Sequence, residues 1–219
     1  ESTNMVYSLF KANSWLSKYD CIICYGDIFY DNKIITKLIQ KQSQFTLPSN
    51  KNWKRDWELR YKNPLSDLET FKIDKNQILK EIGNKPKKYS EIQGQFMGLI
   101  KLNKHTSRRL IKIYDNFSQD LKNNLQFTHF LDICVRKFKI KIDTFSVKDY
   151  WFELDNKTDL KELLIVGSIA MCTLFLSLVI NLIAITDFLK YITNSSRPYC
   201  ELEYIYIVPE ITNNKSCSR

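Results

Sequence analysis

Residues 20–31, DCIICYGDIFYD, constrain the fold more than any other stretch, because an apolar run stops abruptly at Gly26-Asp27. Cys21, Ile22, Ile23, Cys24 and Tyr25 are apolar or aromatic without helical spacing, the pattern of a strand buried on both faces. Glycine lets the chain turn at the end of that strand, which leaves Asp27 at the carboxyl edge of a sheet. Open α/β sheets bind their ligands at that edge. A carboxylate there is placed to hold Mg²⁺ against the phosphates of a nucleotide. A plain turn has the same signature, so the rest of the chain has to decide between the two.

Helix and strand signals alternate along the chain. Residues 5–18 set Val6, Leu9, Phe10, Ala12 and Leu16 on one face of a predicted helix. After the strand ending at Tyr25, a second helix is expected over 31–40, with Ile34, Ile35, Leu38 and Ile39. Residues 42–64 are polar, contain Pro48 and Pro64, and read as a crossover carrying Trp53 and Trp57. A hairpin is expected over 70–82, turning at Asp74-Lys75-Asn76. A strand over 91–102, helices over 107–121 and 128–137, and a strand over 140–145 follow.

The formal charge of +9 points to anionic partners such as nucleotides, nucleic acid or a membrane surface. The basic residues are scattered among 24 acids, and no nucleic-acid motif accompanies Lys85-Lys87-Lys88 or Arg108-Arg109-Lys112. A nucleic-acid partner is therefore not expected. Cys21 and Cys24 form a C-x-x-C, but strand residues three apart point to opposite faces and cannot jointly grip a metal. Core thiols of a reducing compartment are the better reading. His105 and His129 lack a partnering motif, and no G-x-S-x-G is present, so hydrolase chemistry has little support.

Six stretches resemble, in order, the CTP:phosphocholine cytidylyltransferase-like branch of the sugar-nucleotidyltransferase superfamily. They are ESTNMVYSLFKA (1–12), CYGDIFYD (24–31), NPLSDLETF (63–71), EIGNKP (81–86), EIQGQFMGLIK (91–101) and WFELDNKTDL (151–160). The resemblance implies an α/β fold, a three-layer Rossmann-like mixed sheet of the GT-A-like nucleotidyltransferase type. It also implies transfer of a nucleotidyl group from an NTP, CTP being the expected one, to a phosphorylated small molecule. One departure matters. Family members open with a strand and a loop of the type L-x-x-G-x-G-x-R, followed by a lysine, which cradles the triphosphate with backbone N–H groups. The five glycines here, at 26, 83, 94, 98 and 167, make no G-x-G. The expectation is a chain missing its first β-α-β portion and, as it stands, catalytically poor.

The resemblance also implies roles for particular residues. Asp27 and Asp155 would hold Mg²⁺ and serve catalysis, although Asp155 alone also reads as a helix N-cap. Asn4 and Gly26 would lie beside the nucleotide. Lys85 would offer a point charge to a phosphate and Glu81 would touch a polar acceptor group, while an exposed loop is the plain alternative for both. Gly94, Gln95 and Gly98 would let the backbone approach the acceptor, with Gln95 reading a hydroxyl or amide. Trp53, Trp57, Tyr61 and Trp151 could box a quaternary ammonium by cation–π attraction, or simply pack a core.

Residues 163–186 hold no charged side chain, and Asn181 is the only strongly polar one. As a helix they would span about 36 Å at 1.5 Å per residue, enough for a hydrocarbon core of about 30 Å. The favoured expectation is a membrane anchor, leaving the catalytic part in the cytoplasm where NTP is available; a buried helix or an altered reading frame are the alternatives. The expected organisation is thus a nucleotidyltransferase domain over 1–162, an apolar helix over 163–188 and a tail over 189–219, whose YCELEYIYIV has strand character. The alternative to an enzyme is a non-catalytic remnant or membrane-associated interaction module that keeps the fold.

Overall fold

The computed structural model describes residues 4–154, 201–202 and 205–209. Asp155 and the apolar run 163–186 lie outside them. The chain divides into two units, Glu1–Phe152 with Cys200–Arg219 and Glu153–Tyr199, and the fold described is that of the first.

It opens with α1 (Met5–Lys11), capped by Asn4, whose Oδ1 accepts from the Tyr7 amide at 2.9 Å. Val6, Leu9 and Phe10 are buried as the spacing predicts. The single helix expected to residue 18 instead breaks at Ala12 (ψ 20°), and a short α2 (Asn13–Leu16) follows. The strand β1 (Cys21–Tyr25) is buried at every position but Cys24. Then come β2 (Ile28–Tyr30) and α3 (Asn32–Gln40), which Asp31 caps by accepting from the Lys33 amide at 2.8 Å.

Within the stretch read as a crossover lies a strand that polarity concealed. β3 (Phe45–Asn50) is buried at all its positions, and α4 (Trp53–Arg60) follows it. The hairpin β4 (Phe71–Ile73) and β5 (Leu79–Ile82) turns as expected, with Asp74 Oδ1 accepting from the amides of Asn76 and Ile78 at 2.9 and 3.0 Å. The strand expected over 91–102 is split into β6 (Gln95–Phe96) and β7 (Leu99–Leu102). Next are α5 (Lys104–Asp115), α6 (Gln119–Asn124), α7 (Phe127–Arg136), β8 (Asp143–Val147) and β9 (Trp151–Glu153). The tail supplies β10 (Glu201–Leu202) and β11 (Ile205–Pro209), in accord with its strand character.

The central mixed sheet runs β10-β11-β1-β7-β3-β6, with β8 also paired to β3. β1 and β3 both lie antiparallel to β7, and β8 lies parallel to β3. β1, β3 and β8 therefore share one direction, and their carboxyl ends, Tyr25, Asn50 and Val147, share one edge. Pro48 is tolerated within β3 for a local reason. The Lys51 amide reaches the carbonyl of Val147 in β8 at 2.8 Å. Amides alternate sides along a strand, so position 48 faces the other neighbour, where β6 and β7 part at Met97-Gly98. A missing N–H there costs no ladder bond.

Candidate functional site

Asp27 emerges where the sequence places it, in the turn after β1, half-buried and with its Oδ1 shielded from solvent. The neighbouring wall is fixed by Gly98. Its carbonyl accepts from the Tyr25 amide at 2.9 Å, its φ is +69°, and a Cβ there would lie 2.9 Å from Cγ of Tyr25. Only glycine suits both the left-handed backbone and that approach.

β2, which leaves Asp27, pairs with β9. The pairing continues at Asp31, whose amide donates to the Tyr150 carbonyl at 2.9 Å. Trp151 is buried, with its indole N–H donating to the Met97 carbonyl at 2.9 Å. Two sequence-distant stretches, CYGDIFYD and the WFELD that leads to Asp155, are thus joined next to Asp27.

A second group of segments forms a wall. Thr70 and Asn84 exchange hydrogen bonds (Thr70 amide to Asn84 carbonyl, 2.7 Å; Asn84 amide to Thr70 Oγ1, 3.2 Å), and the Gln93 amide donates to the Phe71 carbonyl at 2.9 Å. These bonds sew 63–71, 81–86 and 91–101 together. Gln95 is buried and its Nε2 donates to the Glu69 carbonyl at 2.6 Å. Glu69 Oε1 accepts from the Thr128 hydroxyl at 3.0 Å, and Lys85 Nζ donates to the Ser66 carbonyl. Burial pushes the Glu69 carboxyl above its ordinary range; the Thr128 hydrogen bond opposes the shift, nearby Asp67 adds to it and Lys85 offsets it. Asp67 in turn accepts from the Trp57 indole N–H at 2.8 Å.

The remaining sequence candidates are distributed around this frame. Glu81 is held by Lys72 at 3.0 Å, with Glu91 3.6 Å from the same ammonium, while Lys85 is tied to the Ser66 carbonyl. Gly94 packs on β3, where a Cβ would lie 2.9 Å from that of Ser49. Gly26 is exposed in the turn beside Asp27. Asn4 spends its amide on helices: besides capping α1, Nδ2 donates to the carbonyls of Lys122 and Asn123 at 2.6 and 3.2 Å. Trp53 packs near Tyr89 at 5.9 Å, and Trp57 stacks on Trp151 at 6.2 Å and 7°.

Arg60, Asp67, Glu69 and Thr128 carry no role in the sequence reading. Asp67 and Glu69 lie in NPLSDLETF, where two acids close to an apolar run were the available signal. Nothing in the sequence joins Thr128 to them.

Cys21 and Cys24 offer this site no reactive thiolate. Burial pushes the thiol of Cys21 up to about 12 and that of Cys24 up to about 11, so neither supplies a thiolate near neutrality. Among the described residues no group of three His, Cys, Asp or Glu is positioned to hold a metal. Mg²⁺ does not need one, since it is usually held by one or two carboxylates with water and substrate phosphates completing the shell. The hard anionic oxygens of Asp27 fit that donor set.

The mixed sheet, with an acid at the carboxyl edge of β1, has the fold of nucleotidyltransferases seen in solved structures. One neighbour is described as a glucose-1-phosphate thymidylyltransferase from Bacillus anthracis (TM-score 0.55, 9% identity, covering 74% of this chain and 60% of that one). Another is the inositol-1-phosphate CTP transferase from T. maritima (TM-score 0.54, 14% identity, 71% and 57%). At such identities the likeness concerns the fold alone, and the chain spans only about three fifths of either structure. No family model matches the sequence. A curated relative does: the CTP:phosphoglutamine cytidylyltransferase of Campylobacter jejuni is 31% identical over 172 residues, 74% of this chain and 67% of the relative. The chain belongs to the cytidylyltransferases of the NTP transferase superfamily.

Proposed function

We propose that the full-length protein transfers CMP from CTP to a phosphorylated small molecule. An oxygen of the acceptor phosphate attacks the α-phosphorus of CTP, the bond from that phosphorus to the bridging oxygen breaks, and pyrophosphate leaves with the electron pair. The observation that carries this reading is the pairing of β2 with β9 beside Asp27, which joins two stretches of the resemblance that lie far apart in sequence. Relatives named for the use of CTP on a phosphorylated compound support it.

Asp27 and Asp155 would hold Mg²⁺, which when bound offsets the charge of the two reacting anions. The chain's own residues position the partners and keep the site polar on one side. Lys85 presents an ammonium to the acceptor phosphate. Gln95 and Thr128 fix the segment carrying Glu69. The 219 residues contain no G-x-G to cradle a triphosphate, so the assay belongs on the full-length protein.

The test is pyrophosphate release from each NTP with and without phosphorylated acceptors. Release that requires both CTP and an acceptor supports the reading; no release with any pair would leave a non-catalytic module. Among the described residues no helix is long and apolar enough to cross a membrane. For residues 163–186 the anchor is tested by replacing that run with a flexible polar linker that keeps β11 beside β1, which should leave a folded domain free of detergent, whereas aggregation would mean a buried helix.

A further inference from the structure

We propose that the basic groove between β5 and the loop leaving α7 docks on an anionic bilayer surface. The contact lies away from Asp27 and does not depend on the transfer reaction.

The groove has a volume of about 840 Å³. Leu79, Val135 and Ile140 give it an apolar lining, and Lys80, Arg136, Lys137, Lys139 and Lys141 surround them. All five cations are exposed. Three have a carboxylate: Lys80 lies 2.9 Å from Asp74, Lys141 3.4 Å from Asp143 and Arg136 3.5 Å from Asp132. Among the described residues Lys137 and Lys139 have none, and Lys137 lies over the Phe138 ring at 5.7 Å. The groove therefore keeps a surplus of positive charge.

The fold accounts for only part of that surplus. Arg136 ends α7 and Lys137 follows it, where cations offset the negative end of the helix dipole. Lys139 is different. The chain leaves α7 through it with φ +53°, and the Ile140 amide then donates to the Cys134 carbonyl at 3.0 Å. Glycine is the residue at ease in that left-handed conformation, and a lysine there is strained. A cation kept at a strained position without an ion pair is charge that the fold does not use.

The surroundings favour a bilayer over a nucleic acid. Single-stranded nucleic acid is held by exposed aromatic rings on which bases stack. The aromatic ring here, Phe138, is half-buried and lies 6.5 Å from Phe117. Residues 136–141, RKFKIK, instead interleave four cations with apolar side chains, so that ammonium groups can meet headgroup phosphates around an apolar lining. The same chain carries 163–186, which has no charged side chain. A bilayer is the polyanion that such a run also meets, and stable attachment takes two signals. Ile140 and Lys141 precede β8, whose carboxyl end shares the edge of Asp27. A bilayer at the groove thus approaches the amino end of β8 and leaves the candidate site uncovered.

Partition of the full-length protein onto vesicles tests this, using phosphatidylcholine alone or mixed in equal parts with phosphatidylglycerol. Both vesicles offer residues 163–186 a hydrocarbon core, so the ratio of the two affinities reports the charge contact. The wild type should favour the anionic vesicles by roughly twenty-fivefold or more, about 1 kcal/mol for each of the two unpaired ammonium groups. High salt should remove the preference. Lys139→Gly should cut it roughly fivefold without lowering the melting temperature, because glycine suits the backbone at 139. Lys137→Gln should cut it by a similar factor. Lys33→Gln, in the first turn of α3 on the Asp27 side, should keep it. Equal affinity of the wild type for both vesicles, a full preference in Lys139→Gly and Lys137→Gln, or an equal loss in Lys33→Gln would each overturn the proposal. Displacement from anionic vesicles by duplex DNA or inorganic phosphate at the same phosphate concentration would assign the groove to another anion and overturn it too. A lower melting temperature in Lys139→Gly would contradict the claim that the fold has no use for that lysine.

Discussion

The sheet and the wall formed by residues 57–95 hold their unusual residues for different reasons. In the sheet each one is answered by a neighbour in the protein. Gly98 makes room for Tyr25 and Gly94 for Ser49. Pro48 faces a gap in the ladder. Lys101 is 8% exposed, and its Nζ donates to the carbonyls of Ile39 and Lys41 at 2.7 and 2.9 Å, closing the end of α3. Along the wall the accounts do not close in this way. Burial raises the Glu69 carboxyl, nearby Asp67 adds to the shift, and the cation that offsets it, Lys85, is largely exposed. Burying a charge without full compensation costs stability. Charge that the fold does not need is therefore a better guide to a site than small residues that the fold does need.

That contrast can be broken or sharpened by substitution. The largest effect is expected at Asp27. Asp27→Ala should lower turnover by roughly a hundredfold or more, about 2.7 kcal/mol of barrier, with little change in melting temperature. Near-normal pyrophosphate release by this variant would mean that Asp27 belongs with the structural residues of the sheet.

Lys101→Ala should do the opposite. It removes the ammonium's hydrogen bonds to the Ile39 and Lys41 carbonyls, at a cost of about 1–3 kcal/mol, visible as a lower urea midpoint with acceptor KM unchanged. A weakened acceptor affinity without loss of stability would blur the distinction between the two regions.

Lys85→Ala should raise acceptor KM by roughly tenfold, the worth of a charged hydrogen bond, and shift stability by no more than about 0.5 kcal/mol, as for other exposed positions. Steady-state kinetics and a denaturant titration on the same sample separate the two effects.

The smallest effect concerns pH. Because the folded Glu69 carboxyl titrates above its ordinary range, the native state binds the proton more tightly than the unfolded chain. Its contribution to stability is fully present below the ordinary glutamate range and is lost as pH rises through the raised folded value. Glu69→Gln removes that decline. The melting-temperature difference between variant and wild type should move in favour of the variant between about pH 4 and about pH 8. A constant difference across that range would show that burial of Glu69 carries no electrostatic cost.

Much of the frame was legible because it rests on short-range pattern. The apolar run ending at Gly26-Asp27, the faces of α1 and α3, and the turn at Asp74 follow from spacing and turn chemistry. β3 was hidden because FTLPSN mixes Thr, Ser, Asn and Pro, and its burial comes from pairing with β7, β6 and β8 rather than from its own hydrophobicity. The break between β6 and β7 depends on how closely Tyr25 packs on Gly98, a contact between residues 73 positions apart. The acceptor wall was legible only as separate motifs. Glu81 and Lys85 share the EIGNKP stretch, but the β4–β5 pairing turns Glu81 toward Lys72, while Lys85 reaches the Ser66 carbonyl. The aromatic residues were visible as a group, while the cation among them was not, since Arg60 meets Trp57, Tyr61 and Phe152 only once α4 and β9 are brought together.

The central claim is cytidylyl transfer, and phosphorus NMR of the full-length protein with CTP, Mg²⁺ and a phosphorylated acceptor follows it most directly. The account predicts that the α-phosphate resonance moves into a new phosphoanhydride product as pyrophosphate accumulates in equal amount, and that omitting the acceptor stops both. Loss of CTP at the same rate without acceptor, or release of inorganic phosphate in place of pyrophosphate, would contradict it.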